Sequence, residues 1–346
     1  MRVWIDGSVS DPAICVFGLN LVERHLLALR ALRKFKPPRP LPSEVVIDLG
    51  GAGAPAPALP ADLVADFKVR IVRGEGSLGE RLRKDLLASD REPVLVVAGD
   101  SLIDGRLYLD LEARTGSWIA AMSDAAGKAA ILRLEVQDFA KVPDGARSVA
   151  ELADQLEAAG VAPLRQEEFN GFIRKLRRTL PFYLHAVRDQ AKVKELQRFL
   201  FWSNYKGSTD FFTKYVYPPL VWLMVRPLAA WRVHPNTVTI VSIIMTFAAI
   251  PLFATGHFVA GLLLAYGMSV LDSVDGKLAR VTFTDSRLGN VLDHGLDLIH
   301  PPMWYFAWAW GLAQADPDHM LVQMAIVSTI VYVLDRVVLK DRKSVV

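Results

Sequence analysis

Four aspartates between positions 272 and 297 suggest a reaction. In the stretch LDSVDGKLARVTFTDSRLGNVLDHGLD, Asp272 and Asp275 lie three residues apart and Asp293 and Asp297 four apart. On a helix, either spacing puts both carboxylates on one face. The flanking segments are apolar, and carboxylates left uncompensated in a low dielectric cost several kcal/mol. A bound cation removes that cost. A donor set of carboxylates, with no cysteine nearby, selects a hard divalent ion such as Mg²⁺ or Mn²⁺. Two pairs can hold two ions, the arrangement that clamps attacking and leaving oxygens in phosphoryl transfer. Gly276 and Ala279 follow the first pair, and Gly289 precedes Asp293 by one turn. Small residues there leave a groove where a bulky ligand can approach the backbone. Arg280 projects from the same end, and a guanidinium pairs with phosphate. The expected site combines two metal ions, a phosphate-binding arginine and space for a nucleotide.

These residues need helices to carry them. The chain has 346 residues, is 52% hydrophobic and carries a net charge of +3. That length suits two domains and excludes a disordered or collagen-like chain. The long apolar runs fall in residues 212–338: Thr237 to Phe253, Phe258 to Leu271, Leu298 to Ala313 and Met320 to Leu334. At about 20 residues per crossing, four spans fit between Val233 and Val338. The turns at 255–257 and 314–319 contain no Lys or Arg, whereas 276–288 and the tail from Lys340 to Lys343 do. The basic segments belong on the cytosolic side, which places the aspartates there too. The first residues lack a signal-peptide core, so the N-terminal half is expected to face the cytosol of an integral inner-membrane protein. The single cysteine, Cys15, excludes a disulfide framework and is expected to be a small buried hydrophobe. Trp304, Trp308 and Trp310 are expected to form an interfacial belt, and His300-Pro301-Pro302 to kink a helix.

Upstream, the pattern changes. Residues 1–165 alternate short β-branched runs (Val3–Ile5, Glu44–Leu49, Val69–Val72, Val94–Val97) with amphipathic stretches (Leu19–Phe35, Leu78–Ser89). This predicts an α/β domain with a largely parallel sheet. Residues 171–234 hold twelve Lys/Arg against three acids, with aromatics between them. The segment 166–232 is therefore expected to form basic juxtamembrane helices on an anionic leaflet. A nucleic-acid patch is the weaker reading, because apolar spans follow at once. The membrane domain takes residues 233–346.

The pattern Asp272-x2-Asp275-Gly276-x2-Ala279-Arg280-x8-Gly289-x3-Asp293-x3-Asp297 resembles the signature of the CDP-alcohol phosphotransferases at every fixed position. His234-Pro235-Asn236-Thr237-Val238-Thr239 is similar to the start of that family's first membrane helix. The resemblance covers about residues 205–338. It implies transfer of a phosphoalcohol from a CDP-alcohol, with CDP-diacylglycerol the best-known donor, to an acceptor alcohol, releasing CMP. It implies Asp272, Asp275 and Asp293 as metal ligands, and Asp297 completing the site as the general base. Gly276, Ala279 and Gly289 would make room for cytidine. Arg280 would contact phosphate, and Asn236 is a further nucleotide contact. It also implies a homodimer. The family usually has six membrane helices and this chain reaches about four, so either helices are missing, the chain being C-terminally incomplete or shortened, or the count of spans is too low.

Leu19–Leu29 and Val94–Asp104 resemble segments of nucleotidyltransferases, in which an aspartate after a buried strand, here Asp100, binds metal. The combination resembles bifunctional cytidylyltransferase and di-myo-inositol phosphate phosphate synthase enzymes. Residues 8–17 lack the expected Gly-rich, Arg-containing loop, and Gly74 to Gly79 is glycine-rich but misplaced. The domain is therefore expected to be degenerate. A bifunctional enzyme and a non-catalytic membrane scaffold remain the alternative functions.

Overall fold

The computed structural model describes residues 1–34, 39–51, 53, 55–88, 92–173, 176–205 and 211–344; at 287, 288, 290, 293, 294, 297 and 336–344 only the helical backbone is described. The chain divides into two compact units, Met1–Ser208 and Thr209–Val346.

The first unit is an α/β domain. Its strands are β1 (Arg2–Asp6), β2 (Cys15–Val16), β3 (Leu19–Asn20), β4 (Val45–Asp48), β5 (Val69–Val72), β6 (Val94–Ala98) and β7 (Ser101–Ile103), followed by β8 (Trp118–Asp124), β9 (Gly127–Leu134), β10 (Ala162–Pro163), β11 (Phe172–Ile173), β12 (Arg178–Thr179) and β13 (Leu184–Ala186). Its helices are α1 (Leu21–Ala31), α2 (Ala61–Ala65), α3 (Leu78–Ala88), α4 (Gly105–Ala113), α5 (Val149–Ala158) and α6 (Gln190–Ser203). Seven strands form one sheet in the order β10-β8-β9-β6-β1-β4-β5. The predicted runs become β1, β4, β5 and β6, which pair in parallel. The sheet is mixed rather than all parallel, because β9 runs antiparallel to both β6 and β8. β1, β4 and β6 are buried at every position, as expected of central strands covered by helices on both faces. Asn20 caps α1 through a 2.8 Å bond from the Glu23 amide, so the helix begins two residues later than its apolar period suggests.

Part of the segment expected as juxtamembrane helices is built into this unit. Phe172–Ile173, Arg178–Thr179 and Leu184–Ala186 form short strands, and among the described residues from 166 to 205 α6 is the one α-helix. β13 pairs with β7. Pro181 and the Asn170-Gly171 pair interrupt any helix there. Cys15 is half-exposed rather than buried.

The second unit is helical. After one π-helical turn at Phe212–Val216 come α7 (Tyr217–Ala230), α8 (Pro235–Ala254), α9 (Phe258–Thr282), α10 (Arg287–Leu312) and α11 (Met320–Ser344). The four apolar runs read from the sequence fall in α8 to α11. Among the described residues, α8 and α9 are long and apolar enough to cross a membrane. α8 packs on α9 and α10, α10 on α11, and α7 on α9. Glycines set the close crossings: a Cβ at Gly311 would overlap the Phe253 carbonyl, and one at Gly261 would meet the Phe253 ring at 2.5 Å. Trp304 and Trp308 are half-buried against Phe253, and the Trp304 indole donates to the Thr246 carbonyl at 3.0 Å. They serve as bundle packing rather than the expected belt, because the small residues of α8 leave room for indoles. α10 runs on as one helix through Pro301 and Pro302, and the His300 ring bonds the Leu296 carbonyl at 2.8 Å.

Candidate active site

Three helix ends meet at the predicted chemistry: the start of α8, the last turns of α9 and the start of α10. α8 begins at Pro235, whose fixed φ suits a first turn, and His234 caps it by accepting the Asn236 amide at 3.1 Å. α9 extends to Thr282, so Asp272 and Asp275 lie on its helical surface rather than in a turn. It ends on Phe283 in a left-handed conformation (φ 59°), where the Thr284 amide returns to the Ala279 carbonyl at 3.0 Å. That short turn leads to Ser286, which caps α10 by accepting the Gly289 amide at 2.9 Å.

Side chains join these ends. The Thr239 hydroxyl of α8 donates to Asp275 Oδ2 of α9 at 2.6 Å, where both residues are buried. The Ser286 hydroxyl donates to Asn236 Oδ1 at 3.4 Å. A Cβ on Gly289 would lie 3.1 Å from both Asn236 Oδ1 and Ser286 Oγ. A side chain there would push one of these two oxygens away, so glycine favours the contact between the two helix starts. Gly276 faces the guanidinium of Arg280, 3.5 Å from the position a Cβ would take. Of the predicted residues, the structure gathers Asn236, Asp275 and Gly289 and places Asp272, Gly276, Ala279 and Arg280 along the same end of α9. Positions 293 and 297 lie one turn apart on α10, and their side chains are outside the described residues.

Sequence reasoning missed Thr239 as the partner that orients Asp275, and Ser286 as the cap that ties α10 to Asn236. A Ser three residues before Gly289 was a readable capping signal; Thr239 reaches a residue 36 positions away, and no local pattern announces that. Lys277 is also buried, at 3% exposure, between two motif residues.

The donor chemistry fits a hard cation. Asp272 and Asp275 share a face of α9, and the Thr239 hydroxyl helps to orient the Asp275 carboxylate. No group of three His, Cys, Asp or Glu that could hold a metal occurs among the described residues, a set without the side chains of Asp293 and Asp297. The starts of α8 and α10 add partial positive charge, which favours a phosphate.

Residues 232–346 match the sequence model of the CDP-alcohol phosphatidyltransferase family. The match is confined to this C-terminal region, about a third of the chain. Among curated relatives, 134 residues are 28% identical to a bifunctional IPC transferase and DIPP synthase of Thermococcus kodakarensis, covering 35% of this chain and 31% of that one. A further 130 residues' match, at 32% identity, is to cholinephosphotransferase 1 of Gallus gallus, covering 34% of this chain and 37% of that one. The chain thus spans about a third of the length of these relatives. The first unit is similar to HddC from Yersinia pseudotuberculosis, at 13% identity and a TM-score of 0.35, over 57% of this chain and 98% of that one. The CDP-alcohol phosphatidyltransferase region accounts for the motif; the α/β unit lies outside it.

In the α/β unit, acids gather at the carboxyl ends of the strands. Asp6 and Asp48 are register partners at the ends of β1 and β4, and both are fully buried. The Asp6 Oδ1 accepts the Ser8 amide (3.2 Å) and hydroxyl (2.5 Å). Its Oδ2 is buried with no hydrogen-bond partner among the described residues. Burial, with Asp48 nearby, pushes the Asp6 carboxyl up to about 7. Asp48 is paired with Arg81 at 2.8 Å. Asp100, the expected metal ligand, receives the Arg188 Nε at 3.1 Å; burial still raises its carboxyl above the usual range. Gly79, from the glycine-rich stretch, lies inside α3, where a Cβ would overlap the Pro143 carbonyl, so it serves packing.

Proposed function

We propose that this protein transfers a phosphoalcohol group from a CDP-alcohol, with CDP-diacylglycerol the expected donor, to an acceptor alcohol with release of CMP. The observation that carries this reading is the junction of three helix ends, where Thr239 fixes Asp275 and Ser286 and Gly289 fix Asn236, within a motif matched at every fixed position. Asp272, Asp275, Asp293 and Asp297 would hold two Mg²⁺ or Mn²⁺ ions. Such ions, when bound, would neutralise the diphosphate and make CMP a better leaving group. The chain's own residues do the rest. Arg280 and the positive ends of α8 and α10 draw phosphate oxygens to the site. Thr239 keeps the Asp275 carboxylate turned into the site. Asp297 takes the proton of the acceptor hydroxyl as it attacks phosphorus. Gly276, Ala279 and Gly289 leave the backbone accessible to the nucleotide. The site would face the cytosol, with α8 to α11 in the bilayer and a homodimer as the working assembly.

The α/β unit, on this proposal, does not make the CDP-alcohol. The support is that Asp100 already has a guanidinium partner and that residues 7–20 form a short 3-10 turn and a small hairpin in place of a phosphate loop.

The test is CMP release by the full chain in liposomes, with CDP-diacylglycerol, a panel of acceptor alcohols, and Mg²⁺, Mn²⁺ or chelator. CMP should form only with metal and one class of acceptor. Release that survives chelation, or that Asp293→Asn leaves unchanged, would sink the proposal.

A further inference from the structure

The last helix of the α/β unit leaves aromatic rings in water between cations. α6 buries Val193, Leu196, Leu200 and Phe201. Its opposite face carries Lys194, Arg198 and Trp202 at helical spacing, with Phe199 beside them. Trp202 is 48% exposed and Phe199 39%. The hairpin β11–β12 adjoins the end of this helix: Arg178 donates to the Tyr205 carbonyl at 3.4 Å, and the Tyr205 ring lies 5.3 Å from that of Trp202. The hairpin exposes Phe172 and Arg177, and Arg177 is held in a left-handed conformation at φ 51°. A residue other than glycine adopts that conformation at a cost that the surroundings must offset. Arg177, Lys194 and Arg198 make no ion pair among the described residues.

Exposed Trp and Phe among unpaired Lys and Arg is the chemistry of the headgroup layer, where rings sit at the apolar boundary and cations meet lipid phosphates. We propose that this edge, α6 with the β11–β12 hairpin, docks the α/β unit on an anionic bilayer surface. Two observations favour lipid over nucleic acid. The chain continues into α7, which exposes the aliphatic Leu223, and Trp231 is exposed just after it, so apolar surface suited to acyl chains continues along the chain. The first candidate span, α8, begins at Pro235, so a bilayer is at hand for this stretch of chain. The inference goes beyond the transfer reaction and does not depend on it.

The experiment uses the full chain in nanodiscs. Cys15→Ser removes the native thiol, and a fluorophore is placed through Ser203→Cys, with Leu87→Cys as the reference position on α3. The readout is quenching by lipids spin-labelled near the headgroup, in discs of phosphatidylglycerol or of phosphatidylcholine. In phosphatidylglycerol the label at 203 should be quenched about twofold more than that at 87, and less in high salt, because the attraction is screened. The charge reversal K194E with R198E, both at exposed positions, should abolish the difference. Equal quenching at the two positions in phosphatidylglycerol overturns the proposal. So does a rise in label anisotropy with duplex DNA in the absence of lipid quenching, which would make the edge a nucleic-acid surface.

Discussion

At the sheet edge of the α/β unit, Asp6, Asp48 and Asp100 come from three strands well separated in sequence, whereas in the helical unit Asp272 and Asp275 come from one turn of α9. The sheet-edge acids are bound to the chain itself: Asp48 to Arg81, Asp100 to Arg188, and Asp6 to Ser8. Gly99 lies so close to the Asp6 carbonyl that a Cβ there would overlap it. Asp275 instead takes a hydroxyl hydrogen bond, which orients a carboxylate without cancelling its charge. An acid already matched to a guanidinium gains little from a divalent ion, while an acid steered by a neutral donor keeps its affinity for one. On the proposed function, the same residue type serves structure in one unit and chemistry in the other.

Removing a ligand carboxylate tests this contrast most severely. Asp275→Asn should cut CMP release more than about a hundredfold, since even partners of ligands cost 10–100-fold when lost. A smaller change would place Asp275 among structural acids like Asp48. The next effect in size is at its orienting partner. Thr239→Val removes the hydroxyl but keeps the shape, and should lower activity or metal affinity by roughly 10–100-fold. Thr239→Ser should restore most of it, whereas a purely packing role for Thr239 would make the valine variant harmless.

The contrast also explains what could be read in advance. The motif at 272–297 was legible because helical spacing is local: three or four residues bring two side chains to one face. β1, β4, β5 and β6 were legible for the same reason, as short β-branched runs. The hairpin of β8 and β9, turning at Asp124 to Gly127, makes the sheet mixed; its alternating pattern was there to be read, but its place between β6 and β10 was not. The Asp6–Asp48 pair depends on the register of two strands 42 positions apart, the offset from Val3 to Val45, and nothing near either residue encodes it. The link from Thr239 to Asp275 was illegible likewise, since it exists only once α8 crosses α9.

The buried pair makes a pH-dependent prediction. Asp6 titrates near 7 in the folded unit against an ordinary value of 3.8. A folded value above the unfolded one means that folding favours the protonated acid. The stability it contributes is complete below pH 4, declines as pH rises towards 7, and is constant above that. The total is on the order of 4 kcal/mol. Asp6→Asn cannot ionise, so it should flatten this slope and leave the α/β unit more stable than the native chain at pH 8, as read from urea unfolding of the full protein at a series of pH values. A parallel pH profile in the variant would mean that Asp6 carries its charge despite burial.

The smallest effect belongs to Asp100, and it separates the two units most directly. If Asp100 were a metal ligand of a working cytidylyltransferase, its loss would abolish pyrophosphate formation from CTP and a phosphoalcohol. Its carboxylate is instead met by Arg188, whose guanidinium lies beside the β8–β9 turn, 3.2 Å from where a Cβ on Gly127 would stand. A guanidinium supplied by the chain already meets this carboxylate, and a metal ion bound beside it would repel that guanidinium. The native chain should therefore form no pyrophosphate from CTP, and Asp100→Asn should leave CMP release from a supplied CDP-alcohol within about twofold of the native rate, since surface-of-site changes away from the chemistry are small. Arg188→Ala completes the pair: it frees the carboxylate, and metal binding that emerges only in that variant would show the guanidinium to be what keeps the α/β unit silent.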